Sequence, residues 1–345
     1  MKQINLFLTF DYELPLGGWT VSPESALIEP TQKILALCDK LQVHAVFFVD
    51  VLCMIRFRRL ENNTFEKAVR KQLAEIVEKG HDIQLHLHPH WFTSGLENGK
   101  YQPSKDFRLA DFCPHEIADM VVQGIAYLNE IAKPVNPDYS CVAFRAGGLN
   151  LENSPVFFQI LSENGIRIDS SLCHGYYYAS EISTVDHNNL PNQANWYFKN
   201  GKYNVPATSG IYEIPIAGKS KSVFEIPTWI KVKIHKDRMP ENRGKMIHRD
   251  AQLSFRKKLR KALSARMLSF DNYTYSTRFL MRILHHNIKC FGRQPVINLA
   301  IISHPKSMDV YHYQLMEDYI VSVRKHYGNR IAFRTFHDYF QSLSS

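Results

Sequence analysis

No stretch of the 345-residue chain approaches the roughly 18 uninterrupted apolar residues of a membrane span, and no internal repeat or low-complexity tract is present. The opening "MKQINLFLTFDYE" reaches Asp11 and Glu13 before any small-residue cleavage site, so a secretion signal is not expected. The six cysteines, Cys38, Cys53, Cys113, Cys141, Cys173 and Cys290, are scattered without a C-x-x-C pair. That excludes a disulfide framework and a cysteine-held zinc, and it fits a reducing, cytoplasmic setting. What remains, 45% hydrophobic and 22% charged residues, is ordinary for a soluble globular protein with one large catalytic domain.

The net charge of +9 is concentrated in one place. Between Lys231 and Arg266, thirteen Lys and Arg stand against three acids, Asp237, Glu241 and Asp250, which outweighs the excess of the whole chain. No zinc finger, RNP-type strand or evident helix-turn-helix accompanies the patch, so nucleic acid is not the expected partner. An anionic membrane surface, a substrate diphosphate and a plain solvated helix face all fit such a segment.

Strand-like and helix-like segments alternate along the first half. "INLFLTF" reads as a strand, and Pro30 opens a helix whose stripe is Ile34, Leu35, Leu37, Cys38 and Leu41. The strand "HAVFFVDV" follows, then a helix over Phe65 to Glu78 closed by Gly80, then the strand "HDIQLHL". Pro114 opens a helix with Ile117, Met120, Val121, Ile125, Leu128 and Ile131 on one face. "SCVAFRA", a helix from Ser154 to Asn164 and "IRIDSSL" continue the order, the pattern of a parallel sheet covered by helices. After Leu172 the rhythm breaks, with a strand at "GIYEIPI" and a helical section over Leu253 to Ile288. It returns with "PVINLAIISHP", a helix from Tyr311 to His326, "IAFRTF" and a closing helix. The expectation is a single barrel-like α/β domain over 1–345, interrupted by an insertion over 173–294.

In such a barrel the carboxyl ends of the strands meet at one rim, where catalysis takes place. The polar residues at those ends are Asp11 and Glu13, then His86, His88 and His90 of "GHDIQLHLHPH", then Arg145, Asp169 and His304. Three histidines within five residues each cost free energy on burial unless partnered. Two of them with a carboxylate from the first strand form a donor set for a catalytic divalent ion. His86 and His88 share a face in an extended strand, and a turn at Pro89 could bring His90 back toward His86 instead.

Five segments, "LTFDYE", "GHDIQLHLHPH", "FRAGG", "GIRIDSSL" and "IISHP", resemble in order and position the motifs of the polysaccharide deacetylase family, the NodB-type carbohydrate esterases. The resemblance covers residues 1 to about 172 and about 295 to 340. It implies a distorted (β/α)7 TIM-like barrel with a long insertion, and metal-dependent removal of N- or O-acetyl groups from sugars. Asp11 matches the motif's general base, and Tyr12 stands where the usual metal-binding Asp is found, so Glu13 is the substitute ligand. His86 and His90 match the paired histidine ligands; His88 is additional, so His86 with His88 is the other possible pair. Arg145 matches the arginine that orients the base, with Gly147 and Gly148 replacing the proline that normally follows. Asp169 matches the fourth motif's Asp, and His304 the general acid, which neighbours such as Asp169 would keep cationic.

The implied set is Asp11, His304, Arg145 and Asp169 for catalysis, Glu13, His86 and His90 for the metal, and His88, Trp91 and Gly147 for substrate. Zinc is the first expectation, with cobalt, nickel or manganese as alternatives. A cytoplasmic location, free or against the inner membrane face, suits a glycan or sugar-nucleotide intermediate of surface polysaccharide biosynthesis. Trp19, Trp91, Trp196 and Tyr176 to Tyr178 could stack on sugar rings. An amidohydrolase acting on a non-sugar linear or cyclic amide, and a non-catalytic glycan-binding descendant, are the rival readings.

Overall fold

β1 (Gln3–Tyr12) is buried at every position but its first. An extended chain sends alternate side chains to opposite faces. Phe7 packs in one cluster with Val46, Phe48, Ile168, Ile302 and Phe336. Ile4, Leu6, Leu8, Phe10 and Tyr12 pack in a larger one shared with helices. One face of β1 therefore looks into a barrel and the other into the helices around it. The computed structural model describes residues 3–344 apart from 17, 60–62, 98–99, 103, 181–182 and 222–252.

From β1 the chain passes through α1 (Glu29–Leu41), β2 (Val46–Asp50), α2 (Val51–Arg58), α3 (Thr64–Glu78) and β3 (Asp82–Leu87). A single turn, α4 (His90–Thr93), and a hairpin of β4 (Gly95–Glu97) and β5 (Lys100–Gln102) precede α5 (Pro114–Ala132), β6 (Ala143–Ala146), α6 (Pro155–Glu163) and β7 (Ile168–Asp169). Next come the hairpin of β8 (Tyr177–Ala179) and β9 (Thr184–Asp186), then β10 (Trp196–Phe198), β11 (Ile211–Glu213) and β12 (Gly218–Lys219). The chain closes with α7 (Phe255–Leu263), β13 (Arg266–Met267), α8 (Thr277–Cys290), β14 (Val296–Ser303), α9 (Val310–Tyr327), β15 (Ile331–Phe333) and α10 (Phe336–Ser344).

The main sheet has the order β10-β11-β7-β6-β3-β2-β1-β14, with β15 also on β1. Its pairs are parallel except β10 with β11. A parallel bridge between Ile216 and Ala300 joins the chain beyond β11 to β14. There Ala217 N–H donates to Ala300 O and Ala300 N–H to Pro215 O, both at 2.9 Å. Among the described residues, β1, β2, β3, β6, β7, β11 and β14 form the ring, the (β/α)7 barrel expected from the motifs. β10 and β11 belong to this sheet although they lie within 173–294.

The helix expected over Leu253 to Ile288 is broken into α7 and α8. Between them β13 pairs with β12, and Leu268 N–H donates to Ala217 O at 2.7 Å while its carbonyl accepts Ile302 N–H at 3.1 Å. Those backbone groups are committed to the barrel rim and cannot serve a helix. Most of the basic stretch, 231–252, lies outside the described residues.

The amino ends of the strands are closed by paired polar groups. Asn5 Nδ2 donates to Asn298 Oδ1 at 2.7 Å, and Asn298 Nδ2 to Tyr339 Oη at 2.8 Å. Gln84 Nε2 and His337 N–H donate to the Asp82 carboxyl at 2.8 and 3.1 Å. Phe336 of α10 stacks on Phe7 at 4.7 Å, plugging this end.

Candidate active site

The inward face of β1 reads Asn5, Phe7, Thr9, Asp11 and then, just past the strand, Glu13. Tyr12 points the other way, and its hydroxyl donates to Gln72 Oε1 at 2.9 Å within the helix layer. Asp11 is buried and accepts Arg145 Nη1 at 2.6 Å. Arg145 is itself fully buried: Nη1 also donates to Thr9 Oγ1 at 2.8 Å, Nε to Ser170 O at 2.8 Å and Nη2 to Ser170 Oγ at 3.1 Å. Its guanidinium lies 4.1 Å from the centre of the Phe48 ring. A fork held at each nitrogen fixes the direction in which Asp11 points.

Beside this pair, Glu13, His86 and His88 bring one ligand atom each within 4.8 Å of one another. Glu13 Oε2 lies 3.4 Å from His86 Nε2 and 3.2 Å from His88 Nδ1. All three atoms are buried and without a hydrogen-bonded partner. His86 Nδ1 lies 2.9 Å from Arg145 O. A carbonyl only accepts, so the proton sits on Nδ1 and the Nε2 lone pair faces the cluster. Burial pushes the His86 pKa down, but Asp11, Glu13 and Asp50 outweigh it and raise it. Burial pushes Glu13 up, and Lys306, His88, His86 and His304 outweigh that and hold it well below the carboxylate range. A donor set that gathers charge on converging, unsatisfied atoms fits a divalent cation.

The structure thus puts His88, expected at substrate, into the donor cluster, and separates His90 from it. The strand carries inward-facing side chains two residues apart as far as His88. Pro89, at φ −55°, then starts the helical turn α4. His90 is fully buried with its ring stacked on Phe107 at 4.7 Å. Trp91, expected to face a sugar, is a core residue, 1% exposed. Trp196 is buried as well, donating from Nε1 to Tyr203 O at 2.7 Å. Gly147 lies against the cluster: a Cβ there would come within 2.6 Å of both His88 Cδ2 and Leu87 O.

His304 faces the same centre from β14. Its Nε2 is 3.6 Å from Asp11 Oδ2 and 3.6 Å from Glu13 Oε1. Its Nδ1 pairs at 2.6 Å with Asp271, which also accepts the His304 backbone N–H at 3.0 Å. Burial lowers the imidazole pKa, but Asp271, Asp11 and Glu13 raise it to about 9. The partner expected here, Asp169, instead accepts Ser171 N–H at 2.9 Å and Ser171 Oγ at 2.8 Å. Asp169 stands in register with Glu213 on β11, and burial with the proximity of the two carboxyls raises Glu213 well above its usual range. The Asp169–Glu213 pair braces the wall of strands, and Asp271 is the residue that orients His304.

Four residues of this rim were missed in the sequence. Asp50 closes "VFFVD", where a strand-end carboxylate was legible. Lys306, two residues after His304, donates to Glu13 Oε1 at 2.8 Å. Glu213 lies within "GIYEIPI" and could have been seen as a strand-end acid. Asp271 sits in irregular chain without a periodic signal.

No protein-family model and no curated protein matches the chain. Solved structures do. A polysaccharide deacetylase structure from Mycobacterium smegmatis superposes with a TM-score of 0.52 at 14% identity, over 99% of this chain and 92% of that one. A 4-alpha-glucanotransferase from Thermococcus litoralis reaches 0.50 at 12% identity, over 99% of this chain and 40% of that one. Two different chemistries on one barrel show that the reaction has to be argued from the rim residues. In architecture and in the order of its five motifs, this chain resembles the polysaccharide deacetylases and has their barrel fold.

Proposed function

We propose that this protein is a metal-dependent hydrolase that removes an acetyl group from an acetylated sugar within a glycan or sugar-nucleotide intermediate of surface polysaccharide assembly. One observation carries the reading: the Glu13, His86 and His88 donors, the Arg145-held Asp11 and the Asp271-held His304 converge on one rim. Glu13, His86 and His88 would hold the ion. When bound, a divalent metal, zinc first and cobalt, nickel or manganese next, supplies Lewis-acid polarisation of the acetyl carbonyl and lowers the pKa of water toward about 7. Asp11, its Oδ1 fixed by Arg145, uses its carboxylate to accept the proton of the attacking water. His304, cationic at neutral pH, gives its Nε2 proton to the departing sugar amine or hydroxyl.

The sugar side of the substrate is the His304 side, and there a cleft of about 510 Å³ is lined by Tyr176, Tyr177, Tyr178, Lys261 and Arg266 together with Asp271. Tyrosine faces suit sugar or base rings, and the cations suit a diphosphate. The test is acetate release from UDP-linked N-acetyl sugars and from ureides, with metal content measured before and after chelation. Release from sugars that chelator abolishes is the expected result. Hydrolysis of ureides alone, or activity indifferent to chelator, would overturn the proposal.

A peripheral membrane position fits α7. Phe255, Leu259 and Leu263, one helical face, are 83%, 50% and 45% exposed, and Arg256, Lys257, Lys258, Arg260 and Lys261 surround them. An exposed apolar stripe between cations suits an anionic bilayer better than nucleic acid, which has no use for the Phe and Leu. No helix among the described residues is long and apolar enough to cross a membrane. All six cysteines are free, in keeping with a cytoplasmic setting. Sedimentation with phosphatidylserine vesicles that Phe255→Ser with Leu259→Ser abolishes is expected; equal sedimentation of both proteins would remove the membrane role.

A further inference from the structure

We propose that Asp50 is a fourth protein donor to the metal, so that β1 and β2 each contribute a carboxylate to the two imidazoles of the β3 segment. This rests on the metal centre proposed above, though not on the reaction assigned to it. Asp50 ends β2 in register with His86 on β3. Its side chain is fully buried, and neither carboxylate oxygen has a hydrogen-bonded partner. Burying a carboxylate without donors is costly, and an unsatisfied one aimed into a cluster of ligand atoms points to a cation.

Asp50 meets the cluster through His88: it stands outside the three residues whose ligand atoms all lie within 4.8 Å of one another, so its carboxylate would turn further in on loading. Ligand atoms bound tetrahedrally at 2.0–2.1 Å stand about 3.3–3.4 Å from one another. Asp50 Oδ2 is 3.3 Å from His88 Nδ1, matching the 3.2 Å from His88 Nδ1 to Glu13 Oε2 and the 3.4 Å from Glu13 Oε2 to His86 Nε2. Charge gives a second reason. Lys306 occupies Glu13 Oε1 at 2.8 Å and cancels its charge, and Arg145 does the same for Asp11 at 2.6 Å. Among the described residues Asp50 has no Lys or Arg contact, its ion-pair neighbour being His88, and it supplies negative charge that a dication needs.

The experiment compares chelator-stripped full-length wild type with Asp50→Asn, titrated with Zn2+ and Co2+ against a chelating dye, with visible spectra of the Co2+ forms. The variant is expected to bind both ions more weakly by at least about 100-fold, the upper end of what outer-sphere losses cost, and to alter the cobalt band intensities. Without metal it should melt no lower than wild type, since no hydrogen bond is lost. Wild-type binding with unchanged affinity and spectrum in Asp50→Asn would overturn the Asp50 assignment and leave the metal centre standing. Failure of wild type to take up either ion would overturn both. A crystal structure of the cobalt-loaded wild type needs no variant: an Asp50 oxygen is expected at about 2.0–2.2 Å from the ion, and a carboxylate turned away from it would sink the assignment.

Discussion

The two ends of the barrel are built from the same strands and handle polar burial in opposite ways. At the amino end, Asn5, Asn298, Tyr339, Asp82 and Gln84 find partners among themselves or in the backbone. At the carboxyl end, Glu13 Oε2, both Asp50 oxygens, His86 Nε2 and His88 Nδ1 are equally buried and unsatisfied. The unpartnered atoms at the amino end, His81 Nε2 and His337 Nδ1, stand singly among groups that hold the fold, whereas those at the carboxyl end are aimed at a shared point. A buried polar group with a partner speaks of stability; several without one, converging, speak of a ligand.

Substitutions at the two ends should separate these roles. Asp11→Asn and His304→Ala should each lower turnover by roughly 10²–10⁴-fold while the folded protein persists by circular dichroism; wild-type turnover in both would break the acid/base assignment. His88→Ala should lose bound metal by at least about 100-fold in affinity, whereas His90→Phe, beside Phe107, should keep it. The reverse result in metal analysis would restore His90 as the ligand.

At the amino end the expected effect is on stability and on its pH dependence. Burial raises the Asp82 pKa from 3.8 to about 7, against the hydrogen bonds from Gln84 and His337. A raised folded-state pKa contributes stability that is fully present below 3.8 and lost as pH rises through about 7. Asp82→Asn removes that loss, so its urea midpoint should gain on wild type progressively from acid to neutral pH, by a few kcal/mol at most; parallel curves would refute the assignment. The smallest effect is expected for Gly147→Ala, whose methyl meets His88 and Leu87 O. It should cost about 1–3 kcal/mol and weaken metal binding by displacing His88, which calorimetry and titration would show together.

Much of this was legible because a strand's period of two is a strict rule. Alternation along "LTFDYE" and "QLHLH" placed Asp11 with Glu13 and His86 with His88 on shared faces, and the parallel order of strands placed those faces at one rim. The choice between His88 and His90, which the sequence left open, turns on where the strand stops: α4 begins directly after Pro89, and the motif's spacing does not report that. Asp271 was out of reach for another reason. It is brought to His304 by irregular chain between β13 and α8, and such pairings leave no periodic trace. Asp50 and Glu213 were visible as strand-end acids and went unread.

A consequence follows for β1, which runs without a bulge from the plugged floor to the open mouth. Inserting or deleting one residue in its middle would rotate everything downstream by half a turn. Tyr12 would swing into the cavity and the two acids would be driven into grease, so the reading frame of a single strand is the most exposed point of failure of the proposed centre.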